Sequence, residues 1–248
     1  MTAETVRAED NGGLRRIWID RPDKANALTA AMMHRLADLV RDGQGAGARM
    51  ILLQGAGARG FSAGADIAEF LQGSEHLERQ DVGLRDIVAA FVESPLPIAA
   101  AVHGRTLGAG VLISALSDLV IAADDLKLGL PEILFNMYPA MMQAALEEKI
   151  PAALAFQLCA TGRLLDAAEA RTLGLVTDIV PAATFDADAA ARAAFYLDRA
   201  EALTIGRRAL RISEPSGVGA RIARLAPLMH ENFARPGVRE TIVRYLKD

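Results

Sequence analysis

The sequence has 248 residues, of which 52% are hydrophobic and 23% are charged. A chain of this length and composition buries a sizeable core, which excludes a disordered protein and favours one large or two small globular domains. A net charge of −4, with 5% aromatic residues and no basic stripe, argues against nucleic acid as the main partner.

We expect neither a membrane segment nor a secretion signal, a disulfide or a metal site. The longest apolar stretch, SPLPIAAAVHG onward, is interrupted by prolines, His103 and Arg105 well before the about 20 residues that span a membrane. The first residues, MTAETVRAEDNGG, carry acids where a signal peptide has a basic region. The single cysteine, Cys159, excludes an internal disulfide and indicates a cytoplasmic protein, and the four histidines lie too far apart for metal-ligand spacing.

Short apolar runs alternate with helical periodicity along most of the chain. Strands are predicted at 14–20, 49–55, 96–104, 118–124 and 175–181. Helices are predicted at 28–40, 81–93, 107–117 and 152–162, and the pattern is helical throughout from residue 182. Several strands are apolar on both faces, as buried parallel strands are. We therefore predict an α/β fold in which helices cover a largely parallel sheet, with a helical C-terminal segment packed on the core or on a neighbouring subunit.

Two small-residue turns follow predicted strands, where ligands usually bind in α/β sheets. They lie within GARGFSAGADIAEF (57–70) and HGRTLGAG (103–110), and each leads into a helix start. Small residues leave backbone N–H groups accessible, and a helix start favours an anionic oxygen. The pair could thus form an oxyanion hole, which needs converging backbone donors. The alternative for either loop is a tight turn without a function.

A third loop, LKLGLPEILFNMYPA (126–140), carries Glu132 among apolar residues. If this carboxyl group is buried, desolvation raises its pKa toward the range that suits proton transfer. The alternative is a surface or ion-paired glutamate, because structural networks also perturb carboxyl groups.

Five segments occur in the order and approximate spacing of one known family. They are RPDKANALTAAM, FSAGADIAEF, HGRTLGAGVLISALSDLVIA, LGLPEI and TGRLLDAAEARTLGLVTDIVP. The chain resembles the enoyl-CoA hydratase/isomerase family, also called the crotonase superfamily, over nearly its whole length. The resemblance implies a crotonase-like spiral of ββα units over residues 1–181 and a helical oligomerisation region over 182–248 that builds trimers or dimers of trimers. It also implies an acyl-CoA thioester substrate, with coenzyme A as part of the substrate and no other cofactor.

The resemblance also implies roles for individual residues. The family's oxyanion hole corresponds to the backbone N–H groups of Ala65 and Ala109. Its coenzyme A contacts resemble Lys24, Ala25, Ala27, Ala63, Asp66 and Ile67, many of them through backbone atoms. Phe233 and Lys247 would complete the nucleotide pocket.

The chain departs from the family pattern at two positions. Hydratases of the family usually carry two glutamates, and here the first position is Leu112 while Glu132 keeps the second. Ala140 stands where a water-binding glycine is expected. One carboxylate can move a double bond by transferring a single proton, whereas hydration needs a positioned water and a second proton donor. We therefore favour double-bond isomerisation, with hydration as the alternative.

Two hypotheses from other classes stay open. GFSAG (60–64) matches the G-x-S-x-G signature of serine hydrolases, with Ser62 as nucleophile, Asp118 or Asp124 as acid and His230 as base. A non-catalytic acyl-CoA binder is the other. His103 is expected to be a hydrogen-bonded structural residue. Tyr138, Asn136 and Gln143 are close enough in sequence to Glu132 to orient a substrate, although packing is favoured for them.

Overall fold

The computed structural model describes residues 5–212, 217–234 and 237–245. These residues form nine β-strands: β1 Thr5–Asn11, β2 Leu14–Asp20, β3 Met50–Gly55, β4 Ile98–Val102, β5 Arg105–Leu107, β6 Leu119–Ala123, β7 Lys127–Gly129, β8 Leu164–Leu165 and β9 Asp178–Val180. They also form eleven α-helices: α1 Ala30–Arg41, α2 Ile67–Phe70, α3 Ser74–Glu93, α4 Ala109–Leu116, α5 Ala140–Leu146, α6 Ala152–Thr161, α7 Ala167–Thr172, α8 Phe185–Leu197, α9 Ala200–Ile212, α10 Val218–Ala234 and α11 Val238–Tyr245. Short 3-10 helices lie at Pro22–Lys24, Pro131–Phe135 and Ala182–Thr184.

The strands form two sheets. The larger has the order β1-β2-β3-β4-β6-β9 and is parallel except for the β1–β2 hairpin. The smaller has the order β5-β7-β8. Along the chain, β4 in the large sheet is followed by β5 in the small sheet and then by α4, and β6 and β7 repeat this step before the next helix. This repetition confirms the predicted ββα spiral.

The central strand β4 explains how the large sheet is covered on both faces. Its residues alternate between two apolar cores: Ile98, Ala100 and Val102 enter the first, while Ala99 and Ala101 enter the second. Helices α1, α3 and α4 supply most of the helical residues of the first core, and the alanine-rich α8 covers the second. A strand that is buried on both faces reads as a continuous apolar run, which is why β4 was predictable.

Local signals place the helix ends. The hydroxyl Oγ1 of Thr29 accepts a hydrogen bond from the N–H of Met32 at 3.2 Å and caps α1, so this helix begins at Ala30 rather than at the predicted 28. Gly162 adopts a left-handed φ of 63° and ends α6. In the part of the chain that the structure describes, no helix is long and apolar enough to cross a membrane.

A buried arginine ties α9 to the core. Arg207 is 6% exposed, and its guanidinium donates hydrogen bonds to the carboxylate of Asp118 and to the carbonyl oxygens of Ser94 and Phe91. The other oxygen of Asp118 accepts the N–H of Ile98 at 2.7 Å, at the start of β4. One carboxylate therefore holds a helix and a central strand together.

The substitution Asp118→Ala should destabilise the fold strongly. It leaves the buried guanidinium without its counter-ion, a change that costs about 3–5 kcal/mol in the free energy of unfolding. Urea denaturation followed by circular dichroism measures the effect. The matched control is Asp38→Ala, which removes an exposed partner 3.7 Å from Arg41 and should cost under about 1 kcal/mol. Equal losses from the two variants would contradict the assignment.

Candidate active site

The segment 60–66 is held on both sides by backbone hydrogen bonds. On one side the N–H of Leu28 donates to the carbonyl oxygen of Gly64 at 2.8 Å. On the other side the N–H of Leu107, at the end of β5, donates to the carbonyl oxygen of Ser62 at 2.9 Å. The segment thus lies between residues 25–28 and β5. Hydrogen bonds on both sides fix it as they would fix a strand, although it forms only isolated bridges.

Two glycines bring the predicted oxyanion turns and the glutamate together. A Cβ atom on Gly64 would lie 3.0 Å from the carbonyl oxygen of Leu107 and 3.3 Å from the backbone nitrogen of Ala109. Gly108 has a φ of 51°, and a Cβ atom there would lie 2.7 Å from Oε1 of Glu132. Both positions require glycine, because any side chain would separate the two turns or displace the carboxyl group.

Ala65 and Ala109 line one cavity from opposite turns. Among the described residues, neither backbone N–H has a protein acceptor. Ala109 is the first residue of α4, where an N–H has no acceptor within the helix and the helix dipole is positive. Both amides are therefore free to donate to an oxygen atom of a bound molecule.

Glu132 lies in the 3-10 helix Pro131–Phe135, which follows β7. Glu132 lines the cavity, and its carboxyl oxygen Oε2 is buried and has no hydrogen-bond partner among the residues that the structure describes. Burial raises the pKa of Glu132 to about 7. A carboxyl group with this pKa can accept and return a proton near neutral pH.

The cavity has a volume of about 80 Å³ and a mostly apolar wall. It is lined by Ala63, Gly64, Ala65, Ile67, Leu84, Gly108, Ala109, Pro131, Glu132, Phe135, Met137, Tyr138, Pro139, Ala140, Met141, Met142, Leu225 and Phe233. Glu132 is the only carboxylate among these lining residues. Leu112 is fully buried in the first core and does not line the cavity, so a second carboxylate is replaced by apolar packing.

The residues predicted to contact coenzyme A divide into two groups. Ala63 and Ile67 line the cavity, as does Phe233. The remaining four, Lys24, Ala25, Ala27 and Asp66, lie beside it along the chain and are absent from its wall. Lys247 falls outside the described residues.

The carboxylate of Asp66 already has protein partners. It forms an ion pair with Arg21 at 2.6 Å and accepts the N–H of Ala68 at 3.0 Å, which caps α2. A direct contact of Asp66 with a ligand would therefore involve its backbone. Lys24 is exposed at the end of the first 3-10 helix, where its ammonium group is accessible to a phosphate.

The geometry of Ser62 contradicts the serine hydrolase hypothesis. Ser62 is fully buried, and its hydroxyl donates to the carbonyl oxygen of Asn26 at 2.8 Å while it accepts the N–H of Gly64 at 3.1 Å. The proposed acid Asp118 is bound to Arg207. No histidine is among the residues that line the cavity. The hydroxyl of Ser62 holds the turn before Ala65 instead.

His103 lies outside the cavity. Its Nε2 is 2.8 Å from the carbonyl oxygen of Gly57, and its ring centroid is 5.0 Å from that of Phe185. These contacts agree with the expected structural role. Burial raises the pKa of the Cys159 thiol to about 12, so this buried cysteine stays protonated.

Sequence reasoning missed Asn26, whose side chain holds the start of the 60–66 segment by hydrogen bonds. Asn26 is fully buried with a left-handed φ of 58°, and its Nδ2 donates to the carbonyl oxygens of Ala56 and Gly60 at 2.9 Å each. The available signal was its place in RPDKANAL, because asparagine tolerates a positive φ better than most residues. Leu225 was missed as well, because nothing in the sequence places α10 beside the 126–140 loop.

Comparisons with known proteins show which family this chain is similar to. The sequence model of the enoyl-CoA hydratase/isomerase family matches residues 9–208. "Probable enoyl-CoA hydratase echA8" of Mycobacterium tuberculosis is 32% identical over 255 aligned positions, which cover 100% of this chain and 96% of that protein. Cyclohexa-1,5-dienecarbonyl-CoA hydratase of Thauera aromatica is 32% identical over 172 positions, which cover 69% of this chain and 65% of the relative.

Solved structures show the same fold. OdaA of Pseudomonas aeruginosa has a TM-score of 0.86 at 26% identity and covers 99% of this chain and 100% of its own. An enoyl-CoA hydratase from Mycobacterium avium subsp. paratuberculosis has a TM-score of 0.86 at 23% identity and covers 98% of this chain and 95% of its own. The fold is that of the crotonases, and the chain belongs to the enoyl-CoA hydratase/isomerase family.

Proposed function

We propose that this enzyme moves the double bond of a 3-enoyl-CoA to the 2 position, with Glu132 as the single acid and base. One observation carries the proposal: Glu132, the only carboxylate among the described residues of the cavity wall, has a buried oxygen without a partner in that part of the chain and lies against the turn that presents a free backbone amide. One carboxylate is sufficient for isomerisation, because the proton that it removes is the proton that it returns.

The reaction follows from these positions. The thioester oxygen accepts hydrogen bonds from the N–H groups of Ala65 and Ala109, each of which is worth about 3 kcal/mol to the developing enolate. The carboxylate of Glu132 removes a proton from C2, and the electron pair delocalises onto the thioester oxygen. The resulting carboxylic acid returns the proton to C4. The pair of electrons on oxygen restores the carbonyl, and the double bond then joins C2 and C3.

We infer that the coenzyme A part of the substrate lies along residues 24–27 and 63–67. Lys24 is exposed there, and Ala63 and Ile67 border the cavity. The nucleotide phosphates are anionic, so an exposed lysine at this position is favourable. A trimer or a dimer of trimers in the cytoplasm remains our prediction for the assembly.

Hydration of a 2-enoyl-CoA is the second candidate. The relatives named above are called hydratases, and Glu132, with a pKa of about 7, exists in both protonation states at neutral pH. It would have to activate the water and protonate C2 in turn. The apolar Leu112 does not help to position that water.

The substitution Glu132→Gln should lower kcat for isomerisation by about 10²–10⁴-fold, because it removes the group that carries the proton. The assay incubates 3-enoyl-CoA and 2-enoyl-CoA in deuterated water and identifies the products by mass spectrometry. Glu148→Gln, a carboxylate outside the cavity, is the matched control and should keep the wild-type rate. Release of 3-hydroxyacyl-CoA as the main product would establish hydration instead. Tight acyl-CoA binding without turnover would establish a binding protein.

The substitution Ala109→Pro tests the oxyanion hole. It removes one backbone donor at the first position of α4, where helices tolerate proline, and should lower kcat by about 10²–10³-fold. Ala109→Gly keeps the N–H and serves as the control, with a rate near that of the wild type. Circular dichroism of both variants checks that the helix is intact. An unchanged rate in a folded Ala109→Pro protein would rule out this donor.

The pH dependence should report the buried carboxyl group. The base must be ionised, and burial places its pKa at about 7, so kcat/KM should rise about tenfold per pH unit up to pH 7 and level off above it. Initial rates at low substrate concentration between pH 5.5 and about 8.5 give the profile. A midpoint near the ordinary pKa of a glutamate would mean that the carboxyl group is hydrated in the working enzyme.

A further inference from the structure

The catalytic cavity adjoins a second depression, and the two share part of their walls. This depression has a volume of about 350 Å³ and lies between α5 and α10, where it is lined by Tyr138, Ala140, Gln143, Ala144, Glu147, Arg224 and Leu225. Three of these residues, Tyr138, Ala140 and Leu225, also line the catalytic cavity. Ala140 is small, so the partition consists of the ring of Tyr138 and the side chain of Leu225.

The ring of Tyr138 is fixed from two directions. Its hydroxyl donates a hydrogen bond to Oε1 of Gln143, and Nε2 of the same amide donates to Oε1 of Glu147 at 2.7 Å. The ring also packs against Phe156, with 5.8 Å between the ring centroids. Burial raises the pKa of Tyr138 to about 12, so the phenol keeps its proton and its hydrogen bond at every physiological pH.

The volume of the catalytic cavity limits what fits on its side of the ring. A cavity of about 150 Å³ takes up benzene, with its six carbon atoms. On that scale this cavity, with its volume of about 80 Å³, accommodates about three carbon atoms. If the carbonyl carbon of an acyl group lies between Ala65 and Ala109, only a short acyl chain therefore fits before it contacts the ring of Tyr138.

We propose that Tyr138 is a specificity-determining residue that closes the acyl end of the cavity and restricts the enzyme to short-chain acyl-CoA substrates. This inference rests on the proposed function for its substrate class. The apolar side chains of Met137, Met141 and Met142 complete the same wall and adapt to the acyl chain. Beyond the ring, the depression offers room for the rest of a longer chain once the partition is removed.

The test compares Tyr138→Ala with Tyr138→Phe over a series of chain lengths. For the wild type, kcat/KM with a four-carbon 3-enoyl-CoA should exceed that with a ten-carbon substrate by about tenfold or more, since one methylene that does not fit costs about that factor. Tyr138→Ala joins the cavity to the depression and should raise the ratio of long-chain to short-chain kcat/KM by about tenfold or more. Tyr138→Phe keeps the ring and removes the hydroxyl group that donates to Gln143, so its ratio should stay within about threefold of the wild type.

Binding of saturated acyl-CoAs separates this inference from the proposed function. Titration calorimetry with butyryl-CoA and decanoyl-CoA needs no turnover, and Tyr138→Ala should strengthen decanoyl-CoA binding relative to butyryl-CoA. If turnover proves independent of Glu132 while this change in relative affinity occurs, the proposed reaction is wrong but the role of Tyr138 in chain-length specificity is supported. If Tyr138→Ala does not fold, Leu225→Ala opens the partition from the side of α10 and should strengthen decanoyl-CoA binding relative to butyryl-CoA in the same way. An equal loss with all chain lengths in a folded variant, or a wild type that already prefers ten carbons, would overturn the role of Tyr138.

Discussion

The site depends on the close approach of two backbone turns that are far apart in sequence. Segment 60–66 can lie this close to Ala109 because Gly64 has no side chain, while the missing side chain of Gly108 leaves room for the carboxyl group of Glu132. Hydrogen bonds to Leu28 and Leu107 hold that segment on both sides. Each such bond contributes only about 1 kcal/mol, but all of them act on the same few residues. The two amides are thus placed before any ligand binds, which is what the proposed function requires of an oxyanion hole.

The apolar surroundings of the cavity determine the pKa of the buried carboxyl group of Glu132. Glu132 has neither an ion pair nor a partner for Oε2 in the described part of the chain, so its charged form lacks the stabilisation that Asp118 receives from Arg207. The uncompensated carboxyl group gains a pKa close to the pH of the cell. Under the proposed function, the fold tolerates this cost because proton transfer requires it.

The sequence predicts the parts of the fold in which periodicity is strong. The interior strands β2, β3, β4 and β6 were predicted within a few residues, because they are apolar and buried. β1 was missed, since its polar residues pair at the sheet edge, and β5, β7 and β8 have only two or three residues each. Glu132 and the two turns were predictable from composition and family resemblance. Their distances, and the partition formed by Tyr138 and Leu225, depend on tertiary packing that no local pattern encodes.

The burial of Leu112 also bears on how such an enzyme can change its chemistry over evolutionary time. Leu112 is fully enclosed by the first core and has no access to the cavity. A glutamate introduced there would bring an unpaired charge into packed hydrocarbon, which proteins avoid by shifting or unfolding. A second carboxylate at position 112 would thus require α4 and the elements that pack against it to repack together. A route to a two-carboxylate site that begins with Leu112→Glu therefore lowers the stability of the fold before it can change the reaction.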